Sequence, residues 1–198
     1  AIAGEHKGIF GGDAGPNTGG MGAYTPVPQI PEEAVQQAIS QVLKPTAKGM
    51  VAEKRPFQGI LYAGLIQTAT GPKVIEFNAR FGDPETQVVL ARLESPLSEI
   101  ISSLLAKEQP TIAWNELASV GVVVAAEGYP NQYKTNLPLP EMSGETIYYA
   151  GVTRSEQALV SAGGRIFLAE ATASTLEEAR KKVYQTLDNY SFPGMYYR

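Results

Sequence analysis

Glu76, Asn78 and Arg80 concentrate the chemistry of this chain, in the run Lys73-Val74-Ile75-Glu76-Phe77-Asn78-Ala79-Arg80-Phe81-Gly82-Asp83-Pro84-Glu85. Side chains two apart along a strand point the same way, about 6.5 Å from one another. A strand therefore sets a carboxylate, an amide and a guanidinium on one face and leaves Ile75, Phe77 and Ala79 to bury on the other. Carboxylate and amide oxygens are hard ligands suited to Mg²⁺, which takes one or two protein oxygens and completes its shell with substrate phosphates. The guanidinium is a fixed fork for phosphate or carboxylate. The pattern fits a site that holds a metal–nucleotide complex beside an anionic substrate. It equally fits an edge strand with a solvated polar face.

The elements that must position these groups follow from local pattern. Phe57 to Gln67 reads as a strand, Thr70-Gly71-Pro72 as a turn and Lys73 to Ala79 as the antiparallel partner. The first strand has no acidic residue between Gln58 and Gln67, so a metal must rely on Glu76 and Asn78. Asp83 and Pro84 suit an N-cap and first helical turn, with a helix through Gln87, Leu90 and Leu93, a break at Pro96 and a second helix to about Lys107. The positive end of the first helix would favour an anion just after the polar strand face. Glu85 reads as a structural first-turn residue.

Residues 11–22 hold six glycines in twelve positions, in Gly11-Gly12-Asp13-Ala14-Gly15-Pro16-Asn17-Thr18-Gly19-Gly20-Met21-Gly22. This composition predicts neither helix nor strand but an ordered ligand loop, whose successive N–H groups form an anion-binding concavity, or else a set of tight turns. A plain linker would be richer in serine.

Pro31-Glu32-Glu33 opens a helix toward Glu53, imperfect around Pro45. After Pro110 the character changes. Ser119 to Ala126 is an apolar run for a buried strand, and Gly128, Pro130, Pro138, Pro140 and Gly144 mark an irregular excursion. Thr146 to Gly151, Ala158 to Ser161 and Gly164 to Ala173 read as strands. Thr175 caps a closing helix to about Asn189, with Glu178 completing a capping box. The expected organisation is α+β, with a helix-containing part at 1–117 and a β-rich part at 118–198.

Composition narrows the function classes. The 198 residues are 43% apolar and 18% charged, with a net charge of −4, which is ordinary globular usage and offers no basic surface for nucleic acid. There is no cysteine, and His6 is the single histidine, so thiolate sites and histidine clusters are excluded. With no signal peptide and no bilayer-length apolar stretch, no membrane association is expected and a cytoplasmic protein is the default. A start at Ala1 and an end at Arg198 read as a piece of something longer.

Two segments, Gly15-Pro16-Asn17-Thr18-Gly19-Gly20-Met21-Gly22-Ala23-Tyr24 and Val74-Ile75-Glu76-Phe77-Asn78-Ala79-Arg80-Phe81-Gly82-Asp83-Pro84-Glu85-Thr86-Gln87, resemble the glycinamide ribonucleotide synthetases, the phosphoribosylamine–glycine ligases of purine synthesis. Leu61-Tyr62-Ala63-Gly64-Leu65 and the terminal Ser191-Phe192-Pro193-Gly194-Met195-Tyr196-Tyr197-Arg198 look like that family too. The resemblance implies the second half of an ATP-grasp core, an antiparallel sheet with helices, followed by a small β-rich C-terminal domain. The N-terminal portion of the enzyme would be missing, and with it most of the ATP pocket, so the piece alone is expected to be inactive.

By the same resemblance the intact enzyme uses ATP with Mg²⁺ or Mn²⁺ to phosphorylate glycine, and the amine of 5-phosphoribosylamine attacks the acyl phosphate. Glu76 and Asn78 would hold the metal and Arg80 would act on the transferring phosphate or the glycine carboxylate. Asp13, Asn17, Thr18, Gly19, Gly20, Met21 and Gly22 would bind substrate. Three departures stand out: His6-Lys7-Gly8 where the family has His-Lys-Arg, Gly11-Gly12-Asp13 where Asp-Gly-Asp is usual, and a shorter Tyr133 to Pro138 stretch. They leave open a non-catalytic nucleotide- or metabolite-binding module, and an ATP-grasp ligase for another carboxylate is a third reading.

Overall fold

A strand of uninterrupted small and β-branched residues organises much of the molecule, which is a computed structural model describing residues 1–10, 14–142, 146–156 and 158–198. Gly11, Gly12, Asp13 and Gly144 lie outside the described residues. The strands in chain order are β1 (Gly4–Glu5), β2 (Gly8–Phe10), β3 (Ala14–Asn17), β4 (Gly22–Thr25), β5 (Tyr62–Thr68), β6 (Gly71–Asn78), β7 (Ala118–Ala126), β8 (Thr146–Tyr149), β9 (Val152–Arg154), β10 (Leu159–Ser161), β11 (Arg165–Ala173) and β12 (Met195–Tyr196). The helices are α1 (Glu32–Ala38), α2 (Lys44–Ala52), α3 (Glu85–Leu90), α4 (Leu97–Leu105) and α5 (Leu176–Asp188). A wider π-type turn, Ile39–Leu43, joins α1 to α2 just before Pro45. Proline has no N–H for the regular ladder, and such a turn absorbs the mismatch.

The chain packs as two units, one of residues 1–26, 83–94 and 113–198, the other of 27–82 and 95–112. These packing units interleave along the sequence. The cause is that β4 pairs with β7, Gly22 opposite Val122 and Thr25 opposite Ser119, which draws the first residues of the chain into the β-rich unit.

In that first unit the sheet runs β1-β4-β7-β11-β8, all antiparallel, with β12 also on β7. Alternation along β7 divides its neighbours between two layers. Val122, Val124 and Ala126 join Phe167, Val183 and Leu187, so this face is closed by α5. Val123 and Ala125 join Met21 and Leu168 on the other. Burial on both faces is why β7 reads as a continuous apolar run. Helix α5 starts as expected, with the Thr175 hydroxyl accepting from the Glu178 N–H at 3.2 Å.

In the second unit β5 and β6 form a two-stranded antiparallel hairpin, Tyr62 opposite Asn78 and Gly64 opposite Glu76. The expectation that Ile75, Phe77 and Ala79 bury is not met. Ile75 is 59% and Phe77 41% exposed, and Ala79 is exposed as well. A ribbon of two strands has no neighbour to cover both faces, and α1 against β6 is too short a layer to do so. The register shift at Gly64/Leu65 makes Ile75 the extra residue of the bulge.

Two further expectations change. The glycine-rich segment is not devoid of strand, because Ala14–Asn17 pairs with Gly8–Phe10, a ribbon supported by the buried Ile9 and by Arg198 donating to the Gly8 carbonyl. Helix α3 ends at Leu90 rather than near Leu93, and Asp83 gives no cap hydrogen bond to it. The Asp83 carboxylate is drawn instead to Arg165 and to the Gln87 amide. Among the described residues no helix is long and apolar enough to cross a membrane.

Candidate functional site

The candidate residues fall into two groups, each inside one packing unit. In the second unit, Glu76 and Asn78 occupy the regular end of β6, beyond the bulge, so a two-residue spacing sets them on one face. Glu76 is exposed and Asn78 half-buried. Gly64, opposite Glu76, clears the way for this carboxylate: a Cβ there would come within 3.0 Å of Glu76 Cγ. Arg80 follows the strand, in the bend after Asn78, and its Nη1 donates to the Phe81 carbonyl at 2.8 Å. The hairpin therefore brings two of the three groups onto one face and leaves the guanidinium on the exit loop.

The donor set fits a hard divalent cation, since a carboxylate and an amide oxygen share one face beside a position kept free of side chain. Among the described residues no three of His, Cys, Asp and Glu gather into a metal-binding group. An ion held by these two oxygens would fill the rest of its shell with other oxygen ligands such as phosphate and water, which is the habit of Mg²⁺.

In the first unit the turn between β3 and β4 carries Asn17, Thr18, Gly19, Gly20, Met21 and Gly22; Asp13 lies outside the described residues. The picture of successive N–H groups offered to a ligand gives way to a turn whose amides are spent internally. Thr18 N–H donates to the Lys7 carbonyl at 2.9 Å, Gly19 N–H to the Tyr129 hydroxyl at 3.0 Å, Gly20 N–H to Thr18 Oγ1 at 3.0 Å and Met21 N–H to the His6 carbonyl at 2.8 Å. Met21 has no exposed surface and belongs to the core with Val123 and Leu168, so its side chain offers a ligand nothing. What remains outward is the exposed Asn17, with Gly19 exposed and Thr18 half-buried.

Charged groups surround this turn that no local motif announced. Arg165 bonds Asp83 at 2.8 Å and the Gly19 carbonyl at 2.6 Å. Lys7 lies 3.6 Å from Glu5. Burial pushes the Glu5 carboxyl up to about 7, repulsion from Glu85 adds to it, and Lys7 and Arg165 oppose the rise. Glu85 itself is buried at the start of α3. The traceable sign of this cluster in the sequence is Gly163-Gly164-Arg165, two residues without side chains ahead of a cation.

The hairpin with its carboxylate–amide pair lies in the part of the chain that matches an ATP-grasp domain, so the chain is part of an ATP-grasp protein. The chain belongs to the phosphoribosylglycinamide synthetase family: the family model for its ATP-grasp (A) domain matches residues 1–86 and that for its C domain residues 119–198. It is 52% identical over 198 residues to the phosphoribosylamine–glycine ligase of Halalkalibacterium halodurans, covering 98% of this chain and 46% of that protein. It is also 52% identical over 200 residues to the enzyme of Lactococcus lactis, covering 100% of this chain and 48% of that one. The crystal structure of phosphoribosylamine–glycine ligase from Thermotoga maritima superposes with a TM-score of 0.90 at 32% identity, over 99% of this chain and 50% of that one. A phosphoribosylglycinamide synthetase from Anaerococcus prevotii shares the fold, with a TM-score of 0.63 at 12% identity over 99% of this chain and 48% of that one. The chain spans about half the length of the curated relatives it matches.

Proposed function

We propose that the protein to which this chain contributes joins glycine to 5-phosphoribosylamine at the expense of ATP, through a glycyl phosphate, in purine synthesis. The observation that carries the reading is the Glu76–Asn78 pair on one face of β6 over the space left by Gly64, in a chain of this family. Glu76 and Asn78 hold Mg²⁺ or Mn²⁺ through their side-chain oxygens. When bound, the ion supplies charge neutralisation across the phosphate oxygens that gather during transfer. Arg80 steadies the transferring phosphate or the glycine carboxylate, for which a planar fork is suited. The 17–22 turn binds the amine substrate, with the exposed Asn17 amide and Asp13 contacting its amine or ribose.

Half of the relatives' length is outside this chain, and the full reaction is assigned to the longer protein. The apolar residues Ile66, Val74, Ile75 and Phe77, exposed on the hairpin, suit a surface covered by that remainder. The test is Glu76→Gln in the full-length enzyme, which keeps size and removes one charge. The expected result is a large fall in kcat with weakened Mg²⁺ dependence; unchanged kinetics would return Glu76 to a solvated strand residue.

A second reading, a binding module without chemistry, is favoured by Gly8 and Gly11 standing where the family has arginine and aspartate. Calorimetry on the full-length protein separates the two. Mg-ATP binding without glycine-dependent ADP release supports the module.

A further inference from the structure

The backbone of Gly19 is held at both its N–H and its carbonyl by residues from far along the chain. Its N–H donates to the Tyr129 hydroxyl at 3.0 Å and its carbonyl accepts from Arg165 Nη1 at 2.6 Å. The same guanidinium donates through Nη1 to the Asp83 carbonyl at 3.1 Å and through Nη2 to Asp83 Oδ2 at 2.8 Å. Arg165 opens β11 at its register shift. Glycines make these approaches feasible. A Cβ on Gly19 would lie 3.2 Å from both Arg165 Cζ and Tyr129 Oη, and one on Gly164 would lie 2.2 Å from Tyr129 Cδ2.

We propose that Arg165, assisted by Tyr129, is the positioning residue for the 17–22 turn, setting where Asn17 meets the amine substrate. The inference rests on the assignment of that turn to substrate made above. Arg165 acts through the turn, because its bonds run to Gly19 and Asp83. The guanidinium is needed for its shape. One planar fork reaches a carbonyl on the turn and a carboxylate on the segment before α3 at once, whereas a lysine ammonium is a single point of charge. The arrangement adds side-chain bonds from the region matched by the C-domain model to a turn that this region already holds through the Val123 N–H and the core around Met21.

The test is steady-state kinetics on the full-length enzyme with Arg165→Lys, Asp83→Asn, Asn17→Ala and the Arg165→Lys/Asn17→Ala pair, with hydrogen exchange of residues 17–22 and Tm measured on each. Arg165→Lys should raise KM for phosphoribosylamine by about tenfold and leave KM for ATP within about twofold, since misplacement by about 1 Å at a binding group is enough for such losses. Exchange of the Gly19 amide should quicken, Asp83→Asn should share the phenotype in milder form, and the pair should be no worse than Asn17→Ala alone. If Asn17→Ala raises that KM while Arg165→Lys does not, the turn binds substrate but Arg165 does not position it, and the proposal falls. If neither moves it, the substrate assignment fails and the proposal falls with it. A lower Tm with all KM values shifted alike marks a merely structural role and also overturns it.

Discussion

Gly64 lies beneath the Glu76 side chain across the β5–β6 hairpin, close enough that a Cβ at 64 would come within 3.0 Å of Glu76 Cγ and 3.7 Å of its Oε1. The side-chain stem would have to give by a few tenths of an ångström to admit that Cβ. Gly64→Ala should therefore displace Glu76 while leaving its charge intact. In the full-length enzyme the expected outcome is a need for about tenfold more Mg²⁺ at half-maximal rate, in the range of losses seen when groups orienting metal ligands are disturbed. A magnesium titration of activity checks it.

Glu5 makes stability depend on pH in a defined direction. Its carboxyl is pushed from an ordinary 4.5 up to about 7 by burial and by Glu85, so between these values the folded chain holds a proton that the unfolded chain has released. Stability from this group is complete below about 4.5 and is lost as pH rises through about 7. Thermal unfolding of the chain from pH 5 to 8 should show Tm falling with pH. Glu5→Gln should flatten that slope and raise Tm at pH 8 relative to the parent.

Two glycines should respond to alanine with opposite signs. Gly20 has φ +109° and a Cβ there would meet Pro84 Cδ at 2.4 Å, so Gly20→Ala should destabilise by at least about 2 kcal/mol through backbone strain and overlap. Gly49, inside α2, has nothing within 4 Å of such a Cβ. Gly49→Ala should stabilise by about 0.5–1 kcal/mol through helix propensity. Urea titration of both variants checks the pair.

Met21 is completely buried with Val123, Ala125 and Leu168. Met21→Ala should cost about 2–5 kcal/mol by opening a cavity, and this should appear in urea unfolding whether or not substrate is present.

Thr175→Ala removes the hydroxyl that accepts from the Glu178 N–H at 3.2 Å. The expected loss is about 1 kcal/mol, while Thr175→Ser should retain nearly all of it. The comparison is read in the denaturation midpoints.

Some of the site was legible in the residues themselves and some was not. Glu76 and Asn78 share a face because strand periodicity is a property of consecutive residues, and β6 keeps that periodicity from Glu76 onward. The bulge at Ile75 and the exposure of Phe77 were not visible, because they depend on how strands pair and on what covers them. The glycine-rich turn was recognisable by composition. That its amides are consumed was not, since the acceptors include the backbone of His6 and Lys7 and the Tyr129 hydroxyl.

By itself the sequence determined the elements whose signals lie within a few neighbouring residues: the apolar run of β7, the Thr175 cap and helix α5, the β5–β6 hairpin, though Gly71 and Pro72, expected in its turn, belong to β6, and the two motifs that mark the family. The tertiary structure alone decided that β4 adds to β7, that Met21 turns into the core, that Arg165 reaches Gly19 and Asp83, and that Glu5 keeps its proton to near neutrality. The physical reason is range. Helix caps and strand alternation are energies between neighbours in the chain, whereas burial, desolvation and long-range hydrogen bonds exist only once distant segments have been brought together.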